Sequence, residues 1–334
     1  MNYIKNNVYT LSFLAALAVP FFINRPDYLS VFVITMIYII LALGLNIVVG
    51  FCGLLALGFA AFYGIGAYIT AILTVKFGFT FFPAIIFVII GSGIVGFASG
   101  LPVMRLRGDY LAIVTLGLGE ITRIFINNFE SLTNGPKGIS GIPNPSFFGI
   151  SFTTPWSFYY LLLVFTGFSI YLVRALENSR IGRAWIAIRE DEIAASSVGI
   201  NITKMKLFAF VLGSIMAGLA GFLFAQFQTF VSPDSFTFID SAMILCAVVL
   251  GGLGSIPGVI IGSIILSMLP ELLRDIMPGF ADYRMLFFGM ILIVMMLFRP
   301  QGIFSNLRRK AELFPASEAI KNEEDESLAE DRRR

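Results

Sequence analysis

The sequence predicts an all-α, polytopic integral membrane protein with about ten transmembrane helices and one long cytoplasmic loop. Of its 334 residues, 57% are hydrophobic and only 13% are charged, whereas a soluble domain carries about 25% charged residues. The apolar residues fall into continuous runs, and a helix needs roughly 20 such residues to cross the hydrocarbon core. A membrane β-barrel would instead show alternating segments of about ten residues. The pattern therefore favours a helical bundle.

Ten apolar segments are candidate spans. They cover approximately residues 8–24, 28–49, 53–75, 82–103, 110–126, 156–173, 204–228, 239–252, 256–274 and 284–298. The candidate spans 239–252 and 256–274 meet at a glycine-rich stretch, 251–258. They therefore form either two helices joined by a tight turn or one element with a break.

Basic residues predict the orientation, because loops on the cytoplasmic side carry an excess of Lys and Arg. With the N-terminus inside, the densest basic clusters share one side: Lys5, Arg105, Arg107, Arg174, Arg180, Arg183, Arg189, Lys204, Lys206, Arg299, Arg308, Arg309 and Lys310. We therefore expect both termini in the cytoplasm, with loop 174–203 inside and loop 127–155 outside. Residues 311–334 are charged and poor in apolar side chains, which predicts a disordered cytoplasmic tail after a transmembrane domain at 1–310.

The composition argues against several classes of site. The chain has no histidine, and both of its cysteines, Cys52 and Cys246, lie in apolar stretches where cysteine behaves as a small hydrophobe. We expect no metal site, no cofactor, no nucleic-acid partner and no catalytic residue. The chain also lacks a Gly-x-x-x-x-Gly-Lys-Ser/Thr phosphate loop. Any ATP hydrolysis that drives this protein must therefore be performed by another chain.

One pair of charges lies inside a predicted span. Glu120 and Arg123 are three residues apart, so they can pair on one face of a helix. Charges inside a bilayer are costly and usually face protein or a water-filled cavity. The pair is therefore either part of a translocation path or a structural ion pair that fixes one helix. Asp240, at the start of a later span, is expected to cap a helix N-terminus.

The internal loop 174–203 carries the most informative pattern. Ile181, Trp185 and Ile188 recur at helical spacing, which predicts one apolar face. An acidic cluster and two alanines then follow, and Gly199 is placed to end a helix. A short helix over 189–199 with small residues on its surface can dock in a groove of a partner. The other interpretation is a solvated loop that only sets the topology.

Several long segments together resemble one family. They are Leu41 to Tyr68, Leu101 to Arg123, the loop stretch GRAWIAIREDEIAASSVGI, Gly251 to Gly262, and the external stretch NFESLTNGPKGISGIP. In this order they closely resemble the LivM family, the permease subunits of bacterial branched-chain amino acid ABC importers. The resemblance covers about residues 28–304.

The resemblance implies a heterodimer with a second permease subunit, two cytoplasmic ATP-binding subunits and a periplasmic solute-binding protein, in the bacterial inner membrane. It also implies alternating access and a cytoplasmic Glu-Ala-Ala…Gly loop that contacts the ATPase. That loop corresponds here to Arg189, Glu190, Asp191, Glu192, Ala194, Ala195 and Gly199. Ile193 stands where the pattern has another alanine.

Two other functions remain open. Related permeases carry urea, short amides or other amino acids, so the same architecture could import one of these solutes. An ion-coupled secondary transporter would need several intramembrane carboxylates in broken helices, and only Glu120 qualifies clearly.

Overall fold

The computed structural model describes residues 26–104, 106, 108–147 and 150–276, together with residues 17, 20, 289, 290, 293, 297, 302 and 303. Apart from the isolated positions just given, the candidate spans 8–24 and 284–298 lie outside the described residues. Arg105, Arg107 and the tail 311–334 also lie outside them.

The described chain is mainly helical. Its α-helices are α1 Pro26–Leu45, α2 Ala60–Ala71, α3 Phe81–Val103, α4 Asp109–Asn128, α5 Glu130–Thr133, α6 Pro155–Asn178, α7 Arg180–Glu190, α8 Glu192–Ser197, α9 Ile202–Gln228, α10 Phe238–Gly251 and α11 Ile256–Ile276. Two π-helical turns, Asn46–Phe51 and Ile72–Lys76, extend α1 and α2. Four two-residue strands are β1 Ile139–Ser140, β2 Ser146–Phe147, β3 Ile150–Ser151 and β4 Phe230–Val231.

Six helical segments in this part of the chain are long and apolar enough to cross a membrane: Tyr28–Phe51, Phe81–Val103, Tyr110–Asn128, Pro155–Asn178, Ile202–Gln228 and Pro233–Gly251. Two shorter apolar helices, Ala60–Lys76 and Ile256–Met268, accompany them. These eight elements correspond to the eight predicted spans that fall within the described residues. The glycine-rich stretch 251–258 separates two helices, α10 and α11, and does not interrupt a single one.

Helix α9 is the centre of the bundle. It packs against α1, α2 and α3, and the contacts depend on small residues. A Cβ atom at Gly66 would overlap the backbone of Gly218, and one at Gly221 would overlap the Tyr63 carbonyl. In membranes such close approach of backbones replaces the hydrophobic driving force that holds soluble helices together. Small residues thus form the contact surfaces between these helices.

The third predicted span, 53–75, begins later than expected. Gly53 has a positive φ of 75°, and the chain remains non-helical until Ala60. The reason is tertiary: hydrogen-bond partners from distant helices take the place of the missing helical bonds. Thr115 Oγ1 accepts from the Leu57 N–H at 3.0 Å, and Ser241 Oγ accepts from the Ala60 N–H at 2.9 Å. Non-helical backbone at membrane depth is tolerated only with such partners or beside a cavity.

The two predicted loops lie at opposite ends of α9, which is about 40 Å long at 1.5 Å per residue. At its C-terminal end, β1 pairs with β4, and Ile142 N–H donates to Thr229 O at 3.2 Å. At its N-terminal end, Lys206 forms an ion pair with Glu192. Loops 127–155 and 174–203 are therefore on opposite faces of the bundle, as the predicted topology requires.

Candidate functional site

A pocket lies beside α4, where the non-helical segment before α2, the start of α2 and the start of α10 meet. Its walls come from Leu57 and Gly58 in the non-helical segment, from the start of α2, from one face of α4, and from residues 236–241 at the start of α10. It is shallow and open to the surface, with room for about one water molecule. Glycine is required here, because a Cβ at Gly58 would overlap the Thr115 carbonyl.

Glu120 borders this pocket, and Arg123 lies one turn further along α4. Arg123 Nε donates to Glu120 Oε2 at 3.0 Å, so the predicted pair forms. The Glu120 side chain is 35% exposed and the Arg123 side chain 32% exposed. Both therefore lie on the surface of the described chain and not in its core. Asp234 Oδ1 lies 3.9 Å from Arg123 Nη1 and adds a weaker electrostatic contact.

Asp240 caps α10, as predicted. Its Oδ2 accepts from the backbone N–H of Thr237 at 2.9 Å and from the Thr237 hydroxyl at 2.8 Å, completing a capping box. The Asp240 carboxylate therefore stabilises the N-terminus of α10, which forms one wall of the pocket.

The internal loop folds as two helices, whereas the sequence predicted one over 189–199. Ser179 caps α7 by accepting from the N–H groups of Ile181 and Gly182. Asp191 interrupts the helix and caps α8 by accepting from Ile193 and Ala194 N–H. Gly199, with φ of 86°, follows the end of α8, in agreement with its predicted role.

The predicted apolar face of α7 packs onto the bundle. Trp185 and Ile188 are buried, Ile181 is half-buried, and Trp185 Nε1 donates to Met205 O at 2.8 Å in the first turns of α9. The loop is thus anchored to the membrane helices along one side, which leaves its other side available.

Arg189 and Glu192, which the family resemblance places in the loop that contacts the ATPase, both contact other parts of their own chain. Arg189 Nη1 donates to Gly50 O at 2.5 Å in the π-helical turn, and its aliphatic stem lies against Gly53. Glu192 pairs with Lys206, whose side chain is only 4% exposed. Asn46 Oδ1 accepts from Gly254 N–H at 2.9 Å and ties the same region to the α10–α11 turn.

Residues of α8 and of the positions that flank it divide between a buried and an exposed side. Ala195 is 3% exposed and faces the bundle. By contrast, Ile193 and Val198 are 74% and 77% exposed, and Ala194 is also exposed. Glu190 and Asp191 are exposed as well. Any partner that docks on α8 therefore meets Ile193, Ala194 and Val198 and does not meet Ala195.

The non-helical segment 52–59 connects the loop with the pocket. Its first residues contact Arg189, and Leu57 and Gly58 contact α4 at Thr115 and Gly119. Sequence reasoning missed the partners Gly50, Thr115 and Ser241, because nothing in their local pattern shows a contact over such sequence distances. The glycines at 53 and 58 were the signal that could have located the segment.

Comparison with known proteins identifies the family. The family described as "Branched-chain amino acid transport system / permease component" matches residues 28–296. The high-affinity branched-chain amino acid transport system permease proteins LivM of Salmonella typhimurium and Escherichia coli K12 are each 43% identical, over 93% of this chain and 77% of theirs. The LivH permease protein of Salmonella typhimurium is 28% identical, over 80% of this chain and 90% of its own.

No solved structure matched the chain significantly. The family match covers most of the chain, and the LivM proteins are similar over nearly its whole length. The chain therefore belongs to the permease-component family of branched-chain amino acid transport systems.

Proposed function

We propose that this chain is a membrane-spanning permease subunit of an ATP-driven importer of branched-chain amino acids. The observation that carries the proposal is the 43% identity to two LivM permease proteins over 93% of the chain. The chain performs no chemistry itself. It provides half of a path that alternates between outward-facing and inward-facing states, and its energy comes from ATP hydrolysed by other subunits.

The proposed assembly follows from the same relatives. LivM and LivH permease proteins both match this chain, which supports a heterodimer of two related permease subunits. Two ATP-binding subunits would bind on the cytoplasmic side, and a periplasmic solute-binding protein would deliver the solute near loop 127–155. In this arrangement the protein lies in the bacterial inner membrane with both termini in the cytoplasm, as the basic clusters indicate.

Uptake of labelled leucine by cells that carry the complete transporter tests the solute class. We expect leucine uptake to be lost when this chain is deleted and to be inhibited by excess valine and isoleucine. Excess urea or acetamide should have no effect. Inhibition by urea or acetamide, with none by isoleucine, would contradict the branched-chain assignment and favour the amide-transporting alternative.

Coupling to the ATPase is proposed to occur through the exposed side of α8. Ile193, in α8, and Val198, directly after it, are large apolar side chains, and their exposure is explained if a partner groove covers them. Burial of such side chains is worth roughly 1.5–3 kcal/mol each. Arg189 and Glu192 hold the helix against the bundle, so that displacement of α8 is transmitted to segment 52–59.

A single added charge tests this surface. Ile193→Glu should leave membrane insertion unchanged, because the side chain is exposed, but should reduce co-purification of the ATP-binding subunits and uptake by about tenfold or more, since it places an unpaired charge in an apolar contact. Thr203→Glu is the matched control, with the same charge added at a nearby exposed position. Equal co-purification of both variants would show that α8 does not dock there.

A further inference from the structure

Glu120 and Arg123 occupy an unusual position for charged side chains. Glu120 lies about 17 Å from the first residue of α4 and about 12 Å from its last, at 1.5 Å per residue. Both side chains are about one-third exposed on a helix that is long and apolar enough to span a membrane. Because charges at this depth are costly in contact with lipid, they are expected to face a water-filled space or another chain.

Arg123 retains hydrogen-bonding capacity. A guanidinium has five N–H donors, and within the described residues Nε donates to Glu120. The next acidic oxygen, Asp234 Oδ1, is 3.9 Å from Nη1, which is too long for a hydrogen bond. The terminal nitrogens can therefore donate to a further anion beside Glu120.

The pocket next to Glu120 has an apolar wall. Leu57, Leu116, Phe236 and Phe238 contribute to it. Phe236 is held in place by ring contacts with Tyr63 at 5.0 Å and Phe224 at 5.9 Å, whereas Phe238 is 42% exposed at the edge. A carboxylate thus lies at the edge of an apolar pocket, and the guanidinium that pairs with it lies one turn further along α4.

We propose that this cluster is a subsite for the zwitterionic head group of a hydrophobic amino acid during its passage. Glu120 accepts hydrogen bonds from the ammonium group, the terminal nitrogens of Arg123 donate to the carboxylate, and the apolar wall contacts the side chain. The inference rests on the proposed function and deepens it. A neutral solute such as urea has no need of paired opposite charges, so the site itself favours an amino acid.

Protection from alkylation tests ligand binding directly. In the purified transporter with Cys52 and Cys246 replaced by alanine, Phe238→Cys places a thiol at the edge of the pocket. Leucine should slow its alkylation severalfold. 4-Methylpentanoate, which lacks the ammonium group, and 3-methylbutylamine, which lacks the carboxylate, should not. Phe129→Cys, which is exposed beyond the end of α4, is the control and should react at the same rate with all three compounds.

Charge variants distinguish binding from structural support. Glu120→Gln should abolish the protection by leucine and lower uptake by about tenfold or more, since a neutral amide no longer pairs with the ammonium group. If this variant folds poorly, the exchange Glu120→Arg with Arg123→Glu retains an ion pair and should restore folding without restoring uptake. Glu130→Gln, an exposed carboxylate after the same helix, should behave as wild type.

Three results would overturn the subsite: equal protection by all three compounds, no protection by leucine, or full uptake by the exchanged pair. Each of these leaves the proposed function intact if the wild-type transporter still imports leucine. Absence of leucine uptake by the assembled wild-type transporter would instead refute the proposed function.

Discussion

Replacement of Arg189 by alanine is expected to lower leucine uptake by about tenfold or more while ATP hydrolysis by the assembled transporter continues. Arg189 Nη1 donates to Gly50 O at 2.5 Å, and its stem packs on Gly53. A hydrogen bond from a charged donor contributes about 1.5–3 kcal/mol, which corresponds to a factor of about ten or more. Without it, movement of α7 and α8 no longer displaces segment 52–59, so hydrolysis and transport become uncoupled.

The measurement is the ratio of leucine imported to ATP hydrolysed in proteoliposomes. Arg183→Ala is the matched control, because Arg183 lies on the same helix and its Nη1 donates to Asn178 O at 3.1 Å within the loop. That contact does not reach the membrane segment, so the ratio should remain near wild type. An equal decrease in both variants, or in neither, would show that the bond to Gly50 does not couple the two processes.

Glu192→Gln is expected to destabilise the protein severely. Lys206 is buried and its ion-pair partner in the described chain is Glu192, so the substitution leaves a buried ammonium without its carboxylate. Breaking one half of such a pair costs about 3–5 kcal/mol. The double variant Glu192→Gln with Lys206→Met should recover most of the stability, since it removes the charge and keeps a side chain of similar length.

The readout is the thermal unfolding temperature and the yield of the purified chain in detergent. Glu190→Gln, which removes the neighbouring exposed carboxylate, should change neither quantity. A Glu192→Gln chain that unfolds at the wild-type temperature but no longer retains the ATP-binding subunits would reverse the interpretation. Glu192 would then act in the partner contact that the family resemblance implies.

Local signals in the sequence were sufficient for much of the architecture. The length of the continuous apolar runs located the eight membrane elements that the structure describes. The residue types expected at helix ends predicted the roles of Asp240 and Gly199. These features depend on residues a few positions apart. The helix start at Ala60 could not be predicted in this way, because segment 52–59 is apolar enough to be helical and is held open by Thr115 and Ser241 from distant helices.

The same limit applies to the candidate site. The pairing of Glu120 with Arg123 follows from their spacing on one helix, whereas the pocket beside them depends on how α2, α4 and α10 meet. Adjacent helical residues point about 100° apart, so Ala194 and Ala195 cannot share a face, but the sequence gave no indication which of them is buried. The burial of Ala195 follows from the packing of α8 against the bundle, and this moves the expected docking surface to Ile193 and Val198.

The hydrogen bonds of segment 52–59 also bear on how the protein is made. The acceptor for Leu57 N–H is 58 residues further along the chain, and the acceptor for Ala60 N–H is 181 residues further along. At 5–20 residues per second, the ribosome takes roughly 3–12 s to reach the first and roughly 9–36 s to reach the second. During that interval these N–H groups have no partner in the lipid, where each unsatisfied group costs several kcal/mol. The segment is therefore expected to stay in an aqueous or translocon-protected environment and to enter the bundle only after α10 has been synthesised.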